Sequence, residues 1–238
     1  MPYFAIVAAM ILGLAGCAGT ASYRYKLTVA VNTPEGVKRT STVAEVLFQD
    51  VSIPANGTMH KLRGEALFLD LGPGARPLIA LLTSQLHPKY GTDNQWTGGW
   101  GPSANIFQKL YGLKPPTDNV IEYVSRLGSM RGAHSITPND LPDLVTFADI
   151  NDPKSVIEVD PNNLQVTLGP NISWNEITLE ITDEPITHGI EKKLPWIRGY
   201  FEKNLQLDGS DMGFYKHDLA NRLSWSDFDQ SDDLERSK

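Results

Sequence analysis

Ser129 stands five residues ahead of His134 in "RLGSMRGAHS", a pairing that could supply a hydroxyl nucleophile and its base. The strand-to-helix elbow of serine hydrolases needs Gly-x-Ser-x-Gly, which tightens the turn and exposes the hydroxyl. Here the order is Gly-Ser-x-x-Gly, and a helix stop followed by a loop accounts for it. The five histidines, His60, His87, His134, His188 and His217, show none of the short spacings that often mark metal sites. In "FADINDPKSVIEVDP", Asp149, Asp152, Glu158 and Asp160 lack the alternating oxygen ligands, central glycine and closing glutamate of a calcium loop. Asp152-Pro153 and Asp160-Pro161 read as turns bounding a strand. Gly72 and Gly74 flank a proline with no helix following, so no phosphate-cradling loop is present. These patterns assign no catalytic residue, metal or cofactor.

The one cysteine, Cys17, ends the run "YFAIVAAMILGLAGC". Fourteen residues from Tyr3 to Gly16 span about 21 Å as a helix, short of the roughly 30 Å hydrocarbon core. Such a run followed by small residues reads as a signal-peptide core. Leu14-Ala15-Gly16-Cys17 resembles the lipobox of bacterial lipoproteins. The resemblance implies diacylglyceryl transfer to the Cys17 sulfur, cleavage between Gly16 and Cys17, and acylation of the new amino group. Two or more acyl chains anchor stably where one does not. Residues 1–16 are then a signal peptide, 17–22 a lipidated tether, and the address the cell envelope. Ala18, where aspartate would retain a lipoprotein in the inner membrane, implies the outer membrane facing the periplasm. One departure stands out: no Lys or Arg precedes the apolar run.

Cleavage would leave about 222 residues, enough for one large domain or two small ones. With 21 basic and 28 acidic residues the net charge is −7, and no Lys/Arg block could track a phosphate backbone. Nucleic acid is therefore not an expected partner. The acidity also predicts a domain that stands off anionic lipid. With no second cysteine there is no internal disulfide, so stability must come from the core.

The elements that would position any site read mainly as strands. Tyr23 to Val31 alternates apolar and polar without a fault, the pattern of a half-buried strand, and "NTPEG" supplies a turn. Strands are predicted at 42–48, 63–71, 78–82, 143–150, 155–159, 164–168 and 176–182. Helical spacing marks Ile106, Phe107, Leu110 and Tyr111 after Ser103, then Val120 to Leu127 with Gly128 as a stop. A short helix near "EKKLPWIRGYFEK" has Pro195 in its first turn. From 207 to 238 the chain turns acidic and reads as disordered, so residues 22–205 are expected to fold alone. The fold class is mainly β, a sandwich or open barrel at 23–206 with a loop and helix insertion at about 88–139. The alternative is α+β with two small domains split near residue 100.

"YRYKLTVAVNTPEG", "RGEALFLDLG", "LPDLVTFADINDPKSVIEVDP" and "ITHGIEKKLPWIRG" together resemble an uncharacterised family of short proteobacterial proteins, many with lipoprotein-type signals. The likeness runs from about Tyr23 to Gly199 and implies an envelope setting only. Between its segments lies "QWTGGWGP", a candidate contact loop. Either Trp96 and Trp100 fold back as a lid over the sheet, or one ring is a contact surface for an envelope protein, a glycan or a lipid headgroup. The expectation is a lipid-anchored envelope protein with a structural or binding role. A membrane-tethered periplasmic hydrolase, its groups converging only in three dimensions, is the rival reading.

Overall fold

The structure, a computed structural model, describes residues 19–51, 57–84, 86, 96–97, 101–102, 104–114, 119–213 and 218–231. Gly16, Cys17, Trp100 and Ser103 lie outside the described residues, as do His87 and His217. The strands are β1 (Thr20–Thr33), β2 (Gly36–Val51), β3 (Gly57–Arg63), β4 (Leu67–Leu69), β5 (Leu78–Ala80), β6 (Trp96–Thr97), β7 (Gly101–Pro102), β8 (His134–Ser135), β9 (Leu144–Phe147), β10 (Val156–Glu158) and β11 (Ser173–Thr182). The helices are α1 (Ala104–Tyr111), α2 (Val120–Gly128), α3 (Leu164–Leu168), α4 (Ile197–Lys203) and α5 (Leu219–Arg222).

The alternation read at Tyr23–Val31 is the centre of the molecule. Tyr23, Tyr25, Leu27, Val29 and Val31 are all buried, and β1 pairs antiparallel with β2 on one side and β11 on the other. The first sheet runs β3-β2-β1-β11-β8. Its polar face carries cross-strand ion pairs in register, Arg24 and Arg63 on Glu45, Lys26 on Glu180 and Arg39 on Glu176. The pairs of Lys26 and Arg39 are exposed enough to fix register more than they add stability, whereas Glu45 is buried between its two arginines. Because β11 comes from the second half of the chain, there is no division into sequential domains near residue 100.

The second sheet runs β10-β9-β5-β4, and its inner strands β9 and β5 are buried on both faces. Leu78, Ala80 and Leu82 pack toward the first sheet, whereas Ile79 and Leu81 pack against the C-terminal segment. This is why "LIALL" has no polar face. The molecule is mainly β: two antiparallel sheets face to face, with small helices and no closed barrel among the described residues. α1 and α2 fill one flank of the shared core, with Phe107 edge-on to Tyr23 at 5.3 Å. They lie in the predicted insertion, and Asn119 caps α2 by accepting from the Glu122 N–H.

Three expectations are corrected. "LQVTL" is helical, not a strand: Leu164 and Leu168 are buried four apart while Val166 is 77 % exposed. Alternating apolar residues satisfy a helical turn equally well, and the Asp160 turn starts it. Of the stretch expected as a tether, 17–22, the described part is folded, because β1 begins at Thr20 and the Gly19 carbonyl already accepts from Asp50 N–H at 2.9 Å. The described part of the acidic tail is packed: Leu207, Leu223 and Phe228 have no exposure, and Phe228 lies against Phe147 and Trp196. The many charged residues of that segment hid a few well-spaced apolar anchors.

Candidate functional site

The groups singled out in the sequence are spent on local structure. The Ser129 hydroxyl donates to the Arg126 carbonyl at the end of α2, and His134 lies edge-on to Tyr111 at 4.6 Å. Asp149, Asp152 and Asp160 each accept a backbone N–H from two residues ahead, at 2.9, 3.0 and 2.8 Å. Those are Asx-turns. No three His, Cys, Asp or Glu side chains are grouped to hold a metal among the described residues. The Trp96 backbone pairs with Pro102 in the small β6–β7 ribbon.

A buried acidic group escaped the sequence reading. Glu65, 3 % exposed, sits where the chain crosses from the first sheet to the second. Its two oxygens accept the Gly189 and Ile190 N–H groups, both at 2.8 Å. Burial lifts its pKa to about 7, raised further by nearby Asp229 and opposed by those two hydrogen bonds and His188. Asp227 is also raised by burial, and accepts from the Thr83 hydroxyl and the Ser224 N–H, both at 2.8 Å. Ser224 and Asp227 form a capping box, a pattern visible in "SWSD". The Glu65 carboxylate therefore clamps the turn at Gly189 and Ile190, and the Asp227 carboxylate clamps the C-terminal segment to Thr83 beside the second sheet.

Glu65 binds a proton more readily in the folded state than in the unfolded one. Stability contributed by it is present below about pH 4.5 and falls as pH rises to about 7, on the order of 3 kcal/mol in all. The melting temperature should drop across that window, and Glu65→Gln should flatten the drop. The amide would also turn a donor on one of the two N–H groups, costing about 1–3 kcal/mol at every pH. An unchanged pH slope in Glu65→Gln would contradict the assignment.

Among the described residues, a surface feature that can hold a ligand is a double hollow. The larger, about 210 Å³, is walled by the 138–144 segment and by Glu158 to Asn162. The smaller, about 120 Å³, continues from Pro161 and Asn162 to Trp174. One wall is built on a 3-10 turn at Pro138–Asp140, where the Asp140 carboxylate accepts from the Thr137 N–H and hydroxyl at 2.9 and 2.7 Å. The other is the Asp160 turn leading into α3. The Asn162 amide donates to Asn139 Oδ1 at 2.9 Å and ties the walls together. Trp174 is half-buried, its indole N–H donating to the Pro161 carbonyl at 2.8 Å. No motif marks Trp174 in the sequence, although it stands just before the β11 alternation. The amides came from turns that read as connections.

Comparison with protein-family models, curated proteins and solved structures gives no match to this chain.

Proposed function

We propose that this is a lipid-anchored cell-envelope protein that binds its partner at the double hollow, far from the membrane. The observation that carries the reading is the position of the two ends of β1. Thr20, at its start, follows Cys17 by three residues, and Gly19 is already fixed in the fold. A lipidated Cys17 has only about 7 Å of chain before Gly19 and about 10 Å before the sheet begins. The end of the sheet carrying Thr20, Gln49 and Asp50 would therefore rest against the bilayer, despite the net negative charge. Trp174 pairs with Val31 near the other end of β1, eleven residues along, about 36 Å away at strand rise. The hollow would open away from the lipid.

Full-length chain and the Cys17→Ser variant, expressed in a Gram-negative host, test the anchor. Wild-type protein should sediment with membranes and incorporate labelled palmitate. The variant should lose the label entirely and leave the membrane fraction. A serine variant that still labels and sediments would replace this reading with an uncleaved apolar helix.

A further inference from the structure

We propose that the double hollow binds an uncharged oligosaccharide, with two adjacent sugar rings seated in its two parts. This rests on the reading of an anchored binding protein and gives that site its ligand class. The lining amides, among them Asn139, Asn162, Asn163 and Gln165, both donate and accept hydrogen bonds. Sugar hydroxyls do the same, so each can be met from either side. Among the described residues no lysine or arginine lines either part, whereas Asp143 and Glu158 line the larger one. A phosphate or carboxylate would find no cation to pair with and two acids to repel it.

Trp174 supplies what amides cannot. Trp174 lines the smaller hollow beside Leu164 and Ile172, its side chain half-buried against the first core, and its N–H bond to Pro161 fixes its orientation. A broad aromatic surface suits the apolar C–H face of a sugar ring, which leaves the hydroxyls in plane for the amides. Both walls are preformed by turns that are internally hydrogen-bonded and joined through Asn139 and Asn162. Little ordering entropy is then lost on binding. An extended peptide fits less well: β10, the edge strand here, is three residues long and α5 packs beside it, leaving little for strand addition.

The size of the site sets the affinity. Hollows of about 210 and 120 Å³ each fall below the usual span of ligand sites, about 300 to 1,000 Å³, and only together reach its lower end. Dissociation constants of about 0.1–1 mM are expected. The test is calorimetric titration of the full-length protein in detergent with cellotriose, with tri-N-acetylchitotriose, and with an uncharged proline-containing heptapeptide. At least one trisaccharide should bind saturably. Asn162→Ala and Trp174→Ala should each weaken that binding about tenfold or more, with Asn162→Ala, which loses one exposed hydrogen bond, lowering the melting temperature by no more than about 4 °C. Three results overturn the proposal: neither trisaccharide binds, Asn162→Ala binds as well as wild type, or only the heptapeptide binds. Membrane fractionation of the same preparations separates the two readings. Protein that needs Cys17 to sediment but ignores both sugars retains the anchor and loses the glycan. Protein that binds sugar but sediments without Cys17 does the reverse.

Discussion

A chain that stops at Leu205 is expected to show no cooperative melt and little near-ultraviolet dichroism. The truncation removes Leu207, Leu223 and Phe228, each fully buried against the second sheet. Burial of such side chains contributes about 1.5–3 kcal/mol apiece, and a domain's whole stability is only about 5–15 kcal/mol. The loss does not end there. Phe228 accepts from the Ala66 N–H at 2.8 Å, Asp227 from the Leu82 N–H at 3.0 Å, and Gln230 donates to the Gly64 carbonyl at 2.9 Å. Without these partners, Ile79, Leu81 and Phe147 face water on a sheet built to be covered. Phe228→Ala alone should cost about 3–5 kcal/mol. A 205-residue chain that melts cooperatively within a few degrees of the full protein would show that the segment is an accessory.

Gly64→Ala should be nearly as damaging, lowering the melting temperature by about 10 °C or more. Gly64 has φ +143°, which L side chains rarely adopt. An added Cβ would sit 2.6 Å from the Ala44 Cβ and 2.9 Å from the Ala44 Cα. Ala44 is fully buried in the middle of β2, so backbone must move. Overpacking costs about 1–3 kcal/mol and the strained φ a similar amount. Gly74→Ala is the control, because Gly74 also has positive φ, +76°, but nothing within 4 Å of the new methyl group. Equal melting of the two variants would mean that the close approach of the chain corner to β2 carries no cost.

What was legible follows from how many faces each element buries. β11 buries one face and leaves the other partly in water, as β1 does as far as Lys26; Thr28 and Ala30 are buried too, but the apolar–polar alternation of Tyr23 to Val31 and of Ile177 to Ile181 still let the strands be read directly. β5 buries both faces, and β4 buries one fully and the other in part. Their apolar runs announced strands, but nothing in "LFLDL" or "LIALL" marks where three paired residues begin and end. "LQVTL" failed because Leu164 and Leu168 suit a helical turn as well as a strand face. The C-terminal segment failed differently: two of its carboxylates, Asp227 and Asp229, are buried, accepting from the Ser224 N–H and Thr83 hydroxyl and from the Ser231 N–H. The double hollow was invisible for a third reason. Its amides lie in two turns about twenty residues apart, and only tertiary packing sets Asn139 beside Asn162.

The centrality of β1 bears on how the protein is made. β1 pairs with β2 almost at once, but its other neighbour, β11, lies about 140 residues further along the chain. Contacts this distant in sequence form slowly, because the loop between them must close first. A chain emerging N-terminus first from an export channel would present the β1–β2 hairpin with one long edge of β1 unpaired until Thr182 has crossed. Open strand edges recruit other chains. In a secretion time course, the interval before residue 182 clears the channel is when a holdase has most to protect, and when cross-linking to one should peak.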